Sequence, residues 1–331
     1  MKLIAGLSLD FKRLFFVFSA CLILFSFFGS NLSLAQDKKS ITRLYSDYLK
    51  GLQYFEEGKY QQALEFLEKA KVKDPDSIYL RLKIAAALIR LEKIDQAETA
   101  LIAAKKIAPD NLDISWILIF VYSLTDNSQK LEQEYESFLK KAHELKPKDV
   151  GISEYLAQFY FYKKQPQEAI RVYQRILEVN PKHVGALFWL GYLYDESGRR
   201  QEAIDTWKKG LAIDGSYAPI LNSLGYLYAV SGENLDQAEV MLNKALEAEP
   251  DNGAYLDSLG WIYFKKGNLD KARKYLEEAI ANTKDPEIYE HLGDFYLKFG
   301  NPDKAIEYYR EGLNDFPDSI NLKEKLQRYG K

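Results

Sequence analysis

Cysteine is almost missing from this 331-residue chain, which has one, Cys21, and histidine is scarce, with His143, His183 and His291. A single thiol cannot close an intramolecular disulfide, so the fold is held by its core. The three histidines lie far apart, so no two have the i, i+4 spacing with which a helix face holds a metal. They read as ordinary surface or helix-end residues. Also missing are a Gly-x-Ser-x-Gly elbow, a glycine-rich phosphate loop and a His-Glu-x-x-His pair. Without a nucleophile and base, a metal set or a phosphate cradle, the chain reads as a non-enzyme with no cofactor and no metal. Charge of one sign is lacking too: 45 basic residues stand against 48 acidic ones. Nothing in that balance favours a nucleic acid partner.

What is present begins with an N-terminal segment unlike the rest. Lys2, Lys12 and Arg13 precede an apolar run from Leu14 to Phe28, followed by Gly29-Ser30 and a small-x-small site at Ser33-Leu34-Ala35. That is the layout of a secretory signal peptide over residues 1–35, cut before Gln36. The alternative is an uncleaved membrane anchor, which would hold the chain at the inner membrane facing the periplasm. Cys21 is a poor lipidation site, because the apolar run continues for seven residues beyond it. Cleavage would remove Lys2, Lys12, Arg13 and Asp10, so 45 basic and 48 acidic residues become 42 and 47, a net charge of −5. A short polar lead, residues 36–43, follows.

The remainder is one unit restated. Gly253 to Asp285 reads as two amphipathic helices, the first with Leu256, Leu259 and Tyr263, the second with Ala272, Leu276, Ala279 and Ile280. The break lies at Lys266-Gly267-Asn268. Small residues at Gly260 and Ala272 let the helices approach closely. The first recurs as Gly51, Ala85, Ala157, Gly191, Gly225, Gly260 and Gly293, and the second as Ala63, Ala97, Ala169, Ala203, Ala238, Ala272 and Ala305. The spacing is 34, give or take one, except across one irregular repeat. A helix-ending proline follows at Pro75, Pro109, Pro147, Pro181, Pro250 and Pro317.

On these residues the chain resembles the tetratricopeptide repeat family, over residues 40–331. The resemblance implies an all-α, right-handed superhelix (α-solenoid) of about eight helix-turn-helix repeats with a C-terminal capping helix. Repeats one to three take residues 44–149, repeats four to eight take 150–319, and residues 320–331 form the capping helix and tail. Repeat three is irregular: it has four extra residues, and Ile119 and Tyr135 stand where the small pair is expected. Its insertion marks either a hinge or partner-contacting corner, or a harmless surface loop. Repeat six carries one added residue in Gly232-Glu233-Asn234-Leu235. Paired lysines such as Lys105-Lys106, Lys140-Lys141 and Lys265-Lys266 read as solvated charge on late helical turns.

The resemblance also implies a concave groove lined by side chains near the second, fifth, ninth and twelfth positions of each first helix. Here these are Glu154, Gln158 and Phe161; Phe188, Tyr192 and Asp195; Asn222 and Tyr226; Asp257, Trp261 and Phe264; and Glu290 and Asp294. An aromatic stripe edged by acids and amides suits an extended or helical peptide. Tyr192, Tyr226 and Trp261 either face such a ligand or pack neighbour on neighbour. The basic clamp with which some members hold a C-terminal carboxylate is not met. The run Asn222-Ser-Leu-Gly-Tyr through Tyr255-Leu-Asp-Ser-Leu-Gly-Trp261 is similar to a tandem in bacterial cell-envelope repeat proteins. With the export signal, this implies a periplasmic or outer-membrane-associated scaffold or adaptor for protein partners. The alternative is a membrane-anchored assembly factor for an envelope or polysaccharide-export machine.

Overall fold

The computed structural model describes residues 38–125 and 127–330, so the N-terminal signal or anchor segment lies outside the described residues. These contain seventeen α-helices and no strand. No described helix is long and apolar enough to cross a membrane. Two compact units divide at Phe159 and Tyr160. The first contains α1 (Lys38–Glu56), α2 (Tyr60–Lys73), α3 (Ile78–Arg90), α4 (Ile94–Ile107), α5 (Leu112–Leu124) and α6 (Ser128–Leu145). Helix α7 (Val150–Tyr162) runs across the division. The second unit continues with α8 (Pro166–Val179), α9 (Val184–Glu196), α10 (Arg200–Ile213), α11 (Ala218–Ser231), α12 (Leu235–Ala248), α13 (Gly253–Lys265), α14 (Leu269–Asn282), α15 (Pro286–Lys298), α16 (Pro302–Asp315) and α17 (Ile320–Tyr329).

Local chemistry sets the helix ends. First helices open on side chains that accept from a backbone N–H in the first turn: Ser77 from Leu80, Asn111 from Ile114, His183 Nδ1 from Ala186, Asn252 from Tyr255, Asp285 from Glu287 and Ser319 from Leu322. Each satisfies a donor that the helix cannot pair itself. The turns inside the hairpins need one left-handed residue, supplied by Gly58, Gly198, Gly267 and Gly300, and by Glu92 and Lys164 at a steric cost. In repeat six the added residue gives two, Gly232 and Asn234.

Packing then joins hairpin to hairpin. The repeated alanines of the second helices are fully buried. A Cβ on Gly260 would sit 2.8 Å from Leu276 Cγ and 3.0 Å from its backbone nitrogen, so the paired helices touch through that glycine. In the first unit, one core cluster joins Leu67 and Ala70 of α2, Leu80, Ile84 and Leu88 of α3 and Ala97 of α4. Another joins Ala85, Leu101, Ala104, Ile114 and Leu118, carrying the core on to α5. In these clusters each hairpin buries its apolar face against the next one.

Several expectations change. Helix α1 starts at Lys38, so most of the polar lead at 36–43 is helical. The four extra residues of repeat three lie in no surface loop: α6 has 18 residues where α2 and α4 have 14. Counted from its N-terminus, the residue at the alanine position is Leu131, while Tyr135, found by counting back from Pro147, packs its ring edge-on to Phe159 at 5.7 Å. The lysines are not all solvated: Lys105 Nζ lies 2.5 Å from Glu134 of the next hairpin, and Lys266 Nζ reaches Asp236 at 2.5 Å and Glu239 at 2.6 Å.

Candidate functional site

Within the second unit, first helices touch in series, α9 to α11, α13, α15 and α17, so one face of each is presented beside the next. The expected groove residues from Phe161 onward fall into three groups along this part of the chain. Glu154 and Gln158 belong to the part of α7 in the first unit, half-buried and exposed respectively.

The first group is aromatic. Trp189, unremarked in the sequence, is its centre: Phe161, Phe188 and Tyr192 surround it at ring distances of 5.4, 5.2 and 5.9 Å. All four are half-buried, leaving aromatic area facing solvent. Burial, then the carboxylates of Glu196, Glu287 and Asp195, push the Tyr192 hydroxyl up to about 12. Burial also raises the Asp195 carboxyl above its ordinary value, partly offset by Arg200.

The second group is a packed polar cluster. Asp257 Oδ2 and His291 Nδ1 are 2.8 Å apart, and both residues are buried. Trp261 stacks on the His291 ring with centroids 4.0 Å apart and planes 14° apart, and Phe264 also stacks on Trp261, at 4.7 Å. The reading of His291 as a surface or helix-end residue is therefore corrected: it sits in mid-helix, 6% exposed, while His183 is a helix cap. Burial alone would lower its pKa, but the Asp257 charge and hydrogen bond, with Glu287 and Glu290, raise it above 6.5. The Tyr226 hydroxyl donates to Glu287, linking α11 to α15 past α13. Burial and that carboxylate push it well above the usual tyrosine range.

Beside this cluster is a pocket lined by Asn222, Tyr226, Ala254, Asp257, Ser258, Asp285, Glu287 and Ile288. Its volume is about 10 Å³. Asn222 Oδ1 and Asp257 Oδ1 are buried without a hydrogen-bond partner among the described residues. Burial also raises the Asp285 carboxyl, offset in part by the bond from the Glu287 backbone.

In the third group the protein answers its own charges. Asp294 accepts from the Tyr309 hydroxyl at 2.6 Å and from Lys325 of α17, while Glu290 accepts from Asn321 at 2.9 Å. The capping helix thus engages both groove carboxylates. Among the described residues, no group of three or more His, Cys, Asp or Glu is placed to hold a metal ion.

Trp189 and His291 occupy the sixth position of their helices, which the family's groove positions pass over. A signal for the pairing existed: Asp257 and His291 are 34 residues apart, one repeat length.

The fold defines an all-α protein of stacked helical hairpins. Tetratricopeptide repeat models match residues 54–115 and 160–224, and 227–286 and 258–320, and the chain belongs to the tetratricopeptide repeat family. A TPR repeat-containing protein of Pseudomonas aeruginosa is 39% identical over 56 residues, which are 17% of this chain and 10% of that protein. The match therefore spans about a tenth of that relative's length. Among solved structures, the Cut9–Hcn1 hetero-tetramer of the APC/C aligns with TM-score 0.55 and 17% identity, over 82% of this chain and 53% of that one. PilW, a type IV pilus biogenesis factor, aligns with TM-score 0.51 and 22% identity, over 65% and 98%. At these identities the likeness concerns the fold.

Proposed function

We propose that the chain is a non-catalytic scaffold or adaptor that binds protein partners on the first-helix face of its second unit, and that it works in the bacterial cell envelope. Tetratricopeptide repeats generally serve protein binding through such stacked faces. The observation that carries the reading is the half-buried cluster of Phe161, Phe188, Trp189 and Tyr192 beside Asp195. Rigid rings with open area give contact surface at low entropic cost, and an adjoining carboxylate gives direction. Trp261 is a weaker anchor, because it is buried and its ring already stacks with His291 and Phe264.

The envelope assignment is supported by the signal-like pattern of residues 1–35. N-terminal sequencing tests it: a mature chain starting at Gln36 fits a periplasmic scaffold, whereas a retained segment at 14–28 fits the membrane-anchored assembly factor.

The binding face is tested by in-cell cross-linking with the Phe161→Ala/Tyr192→Ala variant. Partner recovery should fall at least tenfold with helical content unchanged. Undiminished recovery would remove this face from the binding site.

A further inference from the structure

Asn222 Oδ1 and Asp257 Oδ1, both buried and without a hydrogen-bond partner among the described residues, belong to side chains lining the same pocket. Asn222 is 3% exposed and Asp257 5%. Buried acceptors are nearly always satisfied, and two left open at one spot on a face presented to partners call for a donor from outside. We propose that this pocket seats a lysine side chain of the protein partner, its ammonium donating to Asn222 Oδ1 and Asp257 Oδ1. The inference rests on the scaffold reading and adds the chemistry the partner must carry.

Size, donor count and charge select the ammonium. A space of about 10 Å³ is close to what one water molecule needs. An ammonium is about that large and is a pure donor, whereas the planar guanidinium fork of arginine is much larger. The lining includes three carboxyl side chains, Asp257, Asp285 and Glu287, and no Lys, Arg or His. Asp257 already shares its other oxygen, Oδ2, with His291, so the charge that water would leave unanswered is that of Asp285 and Glu287. The N-terminus of α15 lies alongside and its partial positive charge opposes a cation, yet Asp285 at its cap and Glu287 in its first turn offset that end. Ala254 and Ile288 offer apolar walls for the methylene stem.

The test titrates the full chain with n-butylammonium, with N-butylacetamide as its uncharged match and tetramethylammonium as a charge without donors. The readouts are NMR shifts of the Asn222 side-chain amide and the Ser258 backbone amide. Saturable shifts with n-butylammonium, at least tenfold weaker with both controls, are expected. Asn222→Leu, which keeps the volume and removes the acceptor, should weaken the response at least tenfold. Glu287→Gln, a milder change that guards against a folding defect, should weaken it several-fold. Equal shifts from all three probes, or none, would overturn the proposal and leave a pocket holding water only.

A second arm compares cross-linked partner recovery before and after acetylation of cell-extract amines. Recovery that survives both acetylation and Asn222→Leu, but not Phe161→Ala/Tyr192→Ala, sinks the lysine seat and keeps the scaffold. A response to n-butylammonium with no partner recovered by any form assigns the pocket to free small amines, overturning the lysine source.

Discussion

Trp261 lies flat on His291, 4.0 Å between ring centroids, while Asp257 holds the same imidazole from its edge at 2.8 Å. An imidazolium is favoured by both neighbours, through ion pairing and through the indole face. Groups facing the ring are Asp257 and Trp261 of α13, Tyr226 of α11, and Glu287 and Glu290 of its own helix, with Lys265 5.0 Å from the Trp261 ring. The folded pKa of His291 is raised above 6.5, so its contribution to stability is fully present below that pH. It is lost as pH rises through the folded value. The melting temperature of the wild type should therefore fall over that window, and His291→Gln should be less stable at low pH and nearly flat across it. A slope that does not depend on residue 291, or an NMR titration placing His291 at or below 6.5, would contradict this.

The glycines that let helices meet are not equivalent, and their alanine variants should rank accordingly. A Cβ on Gly293 would run into the Tyr309 ring, whose hydroxyl is held by Asp294 at 2.6 Å. That ring cannot swing away without breaking its bond, so Gly293→Ala should cost ~1–3 kcal/mol by overpacking. At Gly225 the tight contact is one methyl of Leu242, the next atom being the Ala238 carbonyl oxygen at 3.5 Å. Rotation of Leu242 relieves it, and alanine adds about 1 kcal/mol of helix propensity. Gly225→Ala should then be close to neutral in denaturant melts. The reverse ranking would mean that the helix pairing is misread.

These positions also show how far the sequence could be read. The hairpins were legible because packing allows only small residues at Gly260 and Ala272 and their counterparts, which leaves a visible period. The extra turn in α6 was not, since Leu131 and Tyr135 both fit a helical stripe and only the observed helix length decides between them. The positions expected to line a groove could be written down from the repeat. Their state could not: the burial of His291 depends on two first helices lying side by side, and the engagement of Glu290 and Asp294 depends on where α17 folds back. Those are contacts between repeats, for which a single-repeat template has no term.

Glu92 and Lys164 hold left-handed backbone, φ 58° and 55°, at the turn where other hairpins use glycine. A Cβ there costs ~1–2 kcal/mol. Glycine removes that cost but loosens the unfolded chain by ~0.4–1 kcal/mol. Lys164→Gly should therefore raise the unfolding free energy by up to about 1 kcal/mol, read as a higher denaturation midpoint, and Gly267→Ala at φ 77° should lower it by a similar amount. A lower midpoint for Lys164→Gly would show that its side chain makes contacts that outweigh the strain.

The capping helix provides the sharpest test of nearest-neighbour stability. Leu322 of α17 is fully buried, packed near enough to Gly312 that a Cβ there would sit 2.7 Å from Leu322 Cδ1. Lys325 Nζ binds Asp294 at 2.5 and 2.6 Å, and Asn321 binds Glu290, so α17 both seals the last apolar face and neutralises acids on α15. Leu322→Ala should cost ~2–5 kcal/mol locally. Because each hairpin leans chiefly on its neighbours, hydrogen-exchange protection should drop in α15 to α17 and stay unchanged in α9 to α12. Lys325→Met keeps the stem and removes the charge. It should lower protection less than Leu322→Ala, and the deficit should shrink in high salt if the ion pair matters. Uniform loss of protection from α8 to α17 would instead mean that the second unit unfolds as one block, and that repeat-by-repeat reasoning does not hold for it.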